Sequence, residues 1–322
     1  MLIRHDWTIE ELNALYALSL IELIAQAGTV HSHYHRLGEI QVCSLISIKT
    51  GGCPEDCKYC AQSMRYQTSI SPQPMMSHEE VLLKAKKAIS EGATRICLGA
   101  AYREVRDGPQ FDAILRMVKA IADLRVEVCC TLGMLKEPQA KRLKEAGLYA
   151  YNHNLDSSEQ FYKTVVTTRT YHDRLKTLDV VQQTALSVCC GGIIGMGESP
   201  LDRLMLILTL SKRTPHPDSV PINLLSPIPG TPFEHQPKIS SWELVRLIAV
   251  ARVVLPKTML RLSAGRIALS YETQALCFLA GANSIHSGEK LLTVANTPID
   301  RDAEMFQLLG LKKRPAFYEK IE

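Results

Sequence analysis

Three cysteines, Cys53, Cys57 and Cys60, stand in the run Gly51-Gly52-Cys53-Pro54-Glu55-Asp56-Cys57-Lys58-Tyr59-Cys60. Thiols spaced C-x3-C-x2-C, on a loop entered through two glycines, can fold round a cubane [4Fe-4S] cluster and bind three of its four irons. The fourth iron then has no local protein ligand. An iron with an open position can chelate a small molecule, whereas a cluster built only to carry electrons takes four cysteines. Zinc is the plainer use of clustered thiols, but structural zinc wants paired C-x2-C knuckles and this chain has no second pair.

Such a loop needs a rigid support. The run 40–49 is strand-like and ends directly in it, and further strand-like runs lie at 94–99, 126–132, 148–155, 186–194, 219–225, 258–264 and 282–287. Helical patterns separate them, with start signals at Ser77-x-x-Glu80, Ser199-Pro200-Leu201-Asp202 and Ser240-x-x-Glu243. Alternating strands and helices predict an α/β chain with a parallel sheet, and eight strands predict a closed (β/α)8 TIM-type barrel. One domain over 1–322 is expected: an N-terminal helical cap (1–38, with its apolar stripe at 7–27), the barrel (39–290) and a short C-terminal extension (291–322) with a helix near 300–309. The cysteine loop then falls at the C-terminal end of the first strand, where barrel enzymes hold their chemistry.

Side chains alternate along a strand, so parity sorts lumen from helix-facing positions. Arg95, Cys97 and Gly99 share a face opposite Ile96 and Leu98; Glu127, Cys129 and Thr131 oppose Val126, Val128 and Cys130. Ser187 and Cys189 oppose Val188 and Cys190, and Arg261 and Ser263 oppose Leu260 and Leu262. Three thiols and an arginine thus converge on one lumen. A buried arginine needs anionic partners, and a thiolate-bound cluster supplies them. From the residues alone, this is a second metal–sulfur site or a set of small core side chains.

Composition excludes little else. Apolar residues make up 46% and charged residues 22%, and a net charge of +4 gives no argument for nucleic acid or membrane. No apolar run approaches a membrane span and the N-terminus is polar, so a cytoplasmic protein is expected. In that reducing setting the ten cysteines read as ligands or core, not disulfides.

The cysteine loop resembles the signature of the radical S-adenosylmethionine (SAM) enzymes, and a closer likeness covers about 7–311. Thr50 to Gln62, Tyr151-Asn152-His153-Asn154-Leu155-Asp156-Ser157, Thr167-Thr168-Arg169-Thr170-Tyr171 and Arg261-Leu262-Ser263-Ala264-Gly265-Arg266 resemble the biotin synthases. The resemblance implies that Cys53, Cys57 and Cys60 hold a [4Fe-4S] cluster, and that Cys97, Cys129, Cys189 and Arg261 hold an auxiliary [2Fe-2S] cluster. It places Tyr59 against the SAM adenine, Asn154 and Asp156 on its ribose and Arg174 on its carboxylate. Asn152 and Asn223 go to the ureido ring of dethiobiotin, and Gly191-x-Ile193-x-Gly195-x-x-Glu198 to the adenine-side strand. The implied reaction is the last step of biotin biosynthesis: a 5′-deoxyadenosyl radical abstracts hydrogen from dethiobiotin, and the substrate radical takes sulfur from the auxiliary cluster. Implied partners are reduced flavodoxin or ferredoxin as electron donor, the iron–sulfur assembly machinery and a second copy in a homodimer. Departures from the family pattern are Cys43 where serine is common, Thr293-Val294-Ala295-Asn296, and His286-Ser287 in place of an aromatic pair.

Rival readings are a hydrogenase-maturase or methylornithine-forming relative, if the strand cysteines are only core, and an electron carrier with no substrate of its own. A lipoyl synthase would need an N-terminal cysteine motif that this sequence lacks. A carrier would want a fourth cysteine at the first cluster.

Overall fold

The computed structural model describes residues 2–317. Two helices, α1 (Ile9–Ala17) and α2 (Leu20–Tyr34), precede the barrel. The apolar stripe at 7–27 predicts a helical cap, but it is divided: Ser19 caps α2 by accepting from the Glu22 amide, and the chain bends there by 118°. A cap requires extended backbone, so a serine at that place ends one helix as it starts the next. No described helix is long and apolar enough by itself to cross a membrane.

The barrel follows as β1 (Glu39–Lys49), α3 (His78–Ser90), β2 (Arg95–Ala100), α4 (Pro109–Ala122), β3 (Glu127–Thr131), α5 (Glu137–Glu145), β4 (Ala150–Asn152), α6 (Glu159–Val165) and α7 (Tyr171–Gln183). It continues with β5 (Ser187–Cys189), β6 (Gly192–Ile194), α8 (Pro200–Ser211), β7 (Ser219–Leu224), α9 (Ser241–Val254), β8 (Met259–Leu262), α10 (Tyr271–Leu279) and β9 (Ser284–His286). Neighbouring strands are parallel, and β9 returns to pair with β1 through Gln41↔Ser284 and Cys43↔His286, closing the sheet. β5 and β6 share one position, so eight barrel positions result, as the alternation predicts.

Two strands differ from expectation. The run 148–155 is regular only over β4, and 186–194 breaks between Cys189 and Gly192. Close backbone contact explains the break: a Cβ on Gly191 would lie 1.9 Å from the Pro221 carbonyl oxygen, and one on Gly192 would lie 2.7 Å from that of Asp156. Only glycine permits such an approach.

The capping signals at Ser77 and Ser199 form complete boxes with Glu80 and Asp202. Ser240 caps α9 without Glu243, whose carboxylate instead accepts from Tyr16 Oη and, at 3.0 Å, from Arg203 Nη1. Beyond β9, the hairpin β10 (Lys290–Leu291) and β11 (Val294–Ala295) lies at the mouth, and α11 (Ile299–Leu309) matches the predicted helix. The sequence gives no hint of β12 (Lys312–Lys313), which adds in parallel to the start of β1 through Glu39↔Lys312. The predicted extension reaches 322, and its residues 318–322 lie outside the described ones.

Candidate active site

Parity sorts the cysteines as expected. Cys97, Cys129 and Cys189 form a small cluster with Ala150 inside the barrel, whereas Cys130, Cys190 and Cys277 belong to the large core between sheet and helices. Register puts Cys97 and Cys129 at one level through Leu45↔Cys97, Cys97↔Cys129 and Cys129↔Ala150, and puts Cys189 two residues further along, opposite Asn152. Cys129 is hydrogen-bonded to both other thiols, which holds Cys97 and Cys189 well below the usual thiol range and pushes Cys129 well above it. Arg261 Nη1 lies 3.7 Å from Cys189 Sγ, and its other nitrogens reach Ser284 Oγ at 2.9 Å and Gln41 Oε1 at 3.1 Å. Burial opposes the Arg261 charge, but the Cys43, Cys189 and Cys97 sulfurs more than offset it. Convergent thiols, two of them of low proton affinity, beside a fixed cation suit an iron–sulfur cluster of net negative charge.

Above this level stands the cysteine loop. Gly51 and Gly52 have φ of 75° and 67°, and a Cβ on Gly51 would meet Pro72 Cα at 2.9 Å, so the chain turns back here only as glycine. Hydrogen bonds from Cys53 N to the Gln62 carbonyl and from Cys60 N to the Cys57 carbonyl, both 2.9 Å, fold the loop back on itself, and all three thiols line one cavity. Burial raises all three, Cys57 to about 11 and Cys60 to about 12, so as free thiols they stay protonated and a metal must displace their protons.

Two carboxylates inside the motif fasten the loop to the segment after α6. Asp56 accepts from the amides of Thr167 at 2.9 Å and Thr168 at 3.1 Å, and Glu55 accepts from Thr168 Oγ1 and from Arg103 Nη1 at 2.8 Å. Burial works against the Asp56 charge, yet these donors hold it down to about 2. Arg169, nearly buried, places Nη2 3.9 Å from Cys57 Sγ and Nε 3.6 Å from Glu55. Glu55 and Arg169 therefore belong to the site, although no role is assigned to them in the sequence. The acidic pair between cysteines could have signalled a need for donors elsewhere.

Between the two thiol groups lies a polar wall. Asp156, with φ of 67°, accepts from Tyr59 Oη at 3.0 Å and from Arg174 Nη2; Arg174 also reaches Tyr162 Oη at 2.8 Å and the Asn154 carbonyl at 2.5 Å. Asn152 donates to Asn154 Oδ1 at 3.0 Å and to Cys189 Sγ at 3.2 Å, joining wall to lumen. Asn223 donates to the Gly192 carbonyl at 2.9 Å and accepts from Ala264 N at 3.2 Å. Glu198 accepts from the amides of Gly195 and Met196 at 2.9 and 2.7 Å, which fixes the turn after β6. All thirteen residues named as candidates line or adjoin one cavity of about 300 Å³ at the C-terminal end of the barrel, within the range of small-molecule sites.

The departures find places too. Cys43 is fully buried one layer below Cys97, 3.5 Å from Gln41 Oε1. Asn296 donates to the carbonyls of His286 at 3.1 Å and Gly288 at 2.8 Å, so its amide secures the hairpin base. Thr293 lines the cavity.

Residues 47–210 match the Radical SAM superfamily, which defines the class of enzyme that this barrel and its cysteine loop form. Residues 221–312 match the Biotin and Thiamin Synthesis associated domain. In fold, the chain is similar to methylornithine synthase, with a TM-score of 0.79 at 18% identity over 95% of this chain and 94% of that one. It is also similar to the FeFe-hydrogenase maturase HydG from Carboxydothermus hydrogenoformans, with a TM-score of 0.78 at 18% identity over 95% and 75%. The chain belongs to the biotin synthase family: it is 58% identical to the biotin synthase of Chlamydia pneumoniae over 97% of its own length and 94% of that relative. Against the biotin synthase of Nostoc sp. (strain PCC 7120), the identity is 56% over 97% and 95%.

Proposed function

We infer that this chain inserts sulfur between two unactivated carbons of dethiobiotin to make biotin, as a radical SAM sulfurtransferase. The observation that carries the reading is the stacking of two thiol sets in one lumen, Cys53, Cys57 and Cys60 at the mouth and Cys97, Cys129 and Cys189 with Arg261 beneath. The first set would hold a [4Fe-4S] cluster and the second a [2Fe-2S] cluster. When bound, the first supplies the electron that cleaves SAM to methionine and a 5′-deoxyadenosyl radical, and the second supplies the sulfur.

The protein's own part is binding, orientation and exclusion of water. Tyr59, Asn154, Asp156 and Arg174 would receive SAM, the aromatic ring against adenine, amide and carboxylate on the ribose diol, and the guanidinium fork on the carboxylate. Asn152 and Asn223 would receive the ureido group of dethiobiotin. Asn223 is already fixed by one donated and one accepted bond, which leaves one N–H and one carbonyl lone pair for a group that both donates and accepts. Asn152, bonded to Asn154 and Cys189, sets the substrate between radical source and sulfur source. A reduced flavodoxin or ferredoxin as electron donor, the iron–sulfur assembly machinery and a homodimeric state in the cytoplasm complete the reading.

A single anaerobic turnover of reconstituted protein with SAM, reductant and dethiobiotin, read by mass spectrometry, tests it. The expected products are 5′-deoxyadenosine and biotin, with Cys97→Ala yielding the first without the second. Deoxyadenosine without biotin from the unsubstituted protein overturns sulfur insertion, and neither product overturns the radical chemistry.

A further inference from the structure

His286 closes the ring of residues round the inner thiols from the last barrel strand, in register with Cys43. Its side chain lies against the Cys97 thiol and lines the same cavity as Cys129, Cys189 and Arg261. Only 8% of the residue is exposed, Nδ1 lies 2.8 Å from Ser263 Oγ, and Nε2 is buried with no hydrogen-bond partner. A polar atom buried without a partner is costly, and in native structures it marks a place where something else completes the bond. The Ser263 hydroxyl can rotate to donate to Nδ1, which leaves Nε2–H as the ring's donor.

We propose that His286 is a positioning residue of the sulfur-donor cluster, its Nε2–H donating a hydrogen bond to the Cys97 thiolate. This rests on the assignment of the auxiliary cluster to Cys97, Cys129, Cys189 and Arg261. A donor on a ligand sulfur draws charge from the iron, favours the reduced cluster and slows loss of the ligand. An aromatic ring at this position would fill the space without that bond.

The test uses the full chain carrying both clusters, with every histidine labelled in 15N so that Arg261 contributes no labelled nitrogen. Pulsed EPR of the reduced protein is read at a temperature where only the two-iron signal survives. The expected result is a weak 15N coupling that disappears in His286→Phe, whose two-iron reduction midpoint moves to more negative potential at unchanged iron and sulfide content. His286→Gln, which keeps an N–H, moves the midpoint back toward the native value. Should His286→Phe fail to fold, Ser263→Ala releases the tautomer and shifts the midpoint in the same direction by less. A midpoint and coupling indifferent to all three substitutions, or a coupling as strong as direct iron ligation, overturns the proposal while leaving the cluster assignment intact. A protein with no two-iron signal, or one whose Cys97→Ala variant retains its full iron, overturns both.

Discussion

Asp156 sits in left-handed backbone and gathers Tyr59 and Arg174 onto one carboxylate, with both partners of the Arg174 pair buried. Removing one member of a buried pair strands the other charge, at a cost of about 3–5 kcal/mol. Asp156→Ala should therefore lower the unfolding free energy of the metal-free protein by that amount in urea titrations, and weaken SAM binding in the loaded enzyme. Neighbours in sequence make a sharper contrast. Cys129→Ala should abolish the two-iron absorbance, whereas Cys130→Ala, in the helix-facing core, should keep it and lose only about 1 kcal/mol of stability for its small cavity. This distinction was legible because parity is a local property of a strand. The parts played by Glu55, Arg169 and His286 were not, since their partners lie on other strands and loops and a single sequence carries no sign of pairings across 48 to 189 positions.

At the scale of elements, alternation revealed the barrel and its eight positions but overextended the fourth and fifth strands. Hydrophobic periodicity reports which face is apolar; it is blind to a backbone carbonyl from a neighbouring strand, and that contact breaks the fifth strand at Gly191. Gly191→Ala forces a shift of the Pro221 backbone, and the expected loss is about 4 kcal/mol or more, measured as a fall in urea midpoint with little soluble protein at 37 °C. Capping boxes were readable where the acidic residue had no stronger claim on it. Glu243 had one, from Tyr16 and Arg203, and so it fastens α1 to α8 and α9 instead of closing a box.

The whole molecule carries its pH response far from the chemistry. His31 and His35 are buried on and beside α2, with Arg252 from α9 2.9 Å from His35 Nε2. Burial first, then the Arg252 charge, pushes His31 down to about 3 and His35 lower still. The unfolded chain binds protons at these rings below about pH 6.5 and the folded one does not, so their contribution is complete above that pH and declines as pH falls toward 3, by at most about 1.4 kcal/mol per unit per ring. Urea midpoints between pH 7 and 4 should show this slope, and His31→Phe should flatten it. At the other pole of the barrel, Arg95, Glu127 and Gln41 fill the layer beneath the thiols through ion pairs and hydrogen bonds of 2.6 to 3.2 Å. β12 lies across the start of β1, and the Phe317 amide donates to Glu127 at 3.0 Å. Among the described residues, this layer floors the lumen below the inner thiols, and the cavity lies toward the cysteine loop. If the inner thiols hold the proposed two-iron cluster, iron and sulfide that arrive past the cysteine loop meet the reactants there, and saturating SAM with dethiobiotin should slow reloading of those thiols.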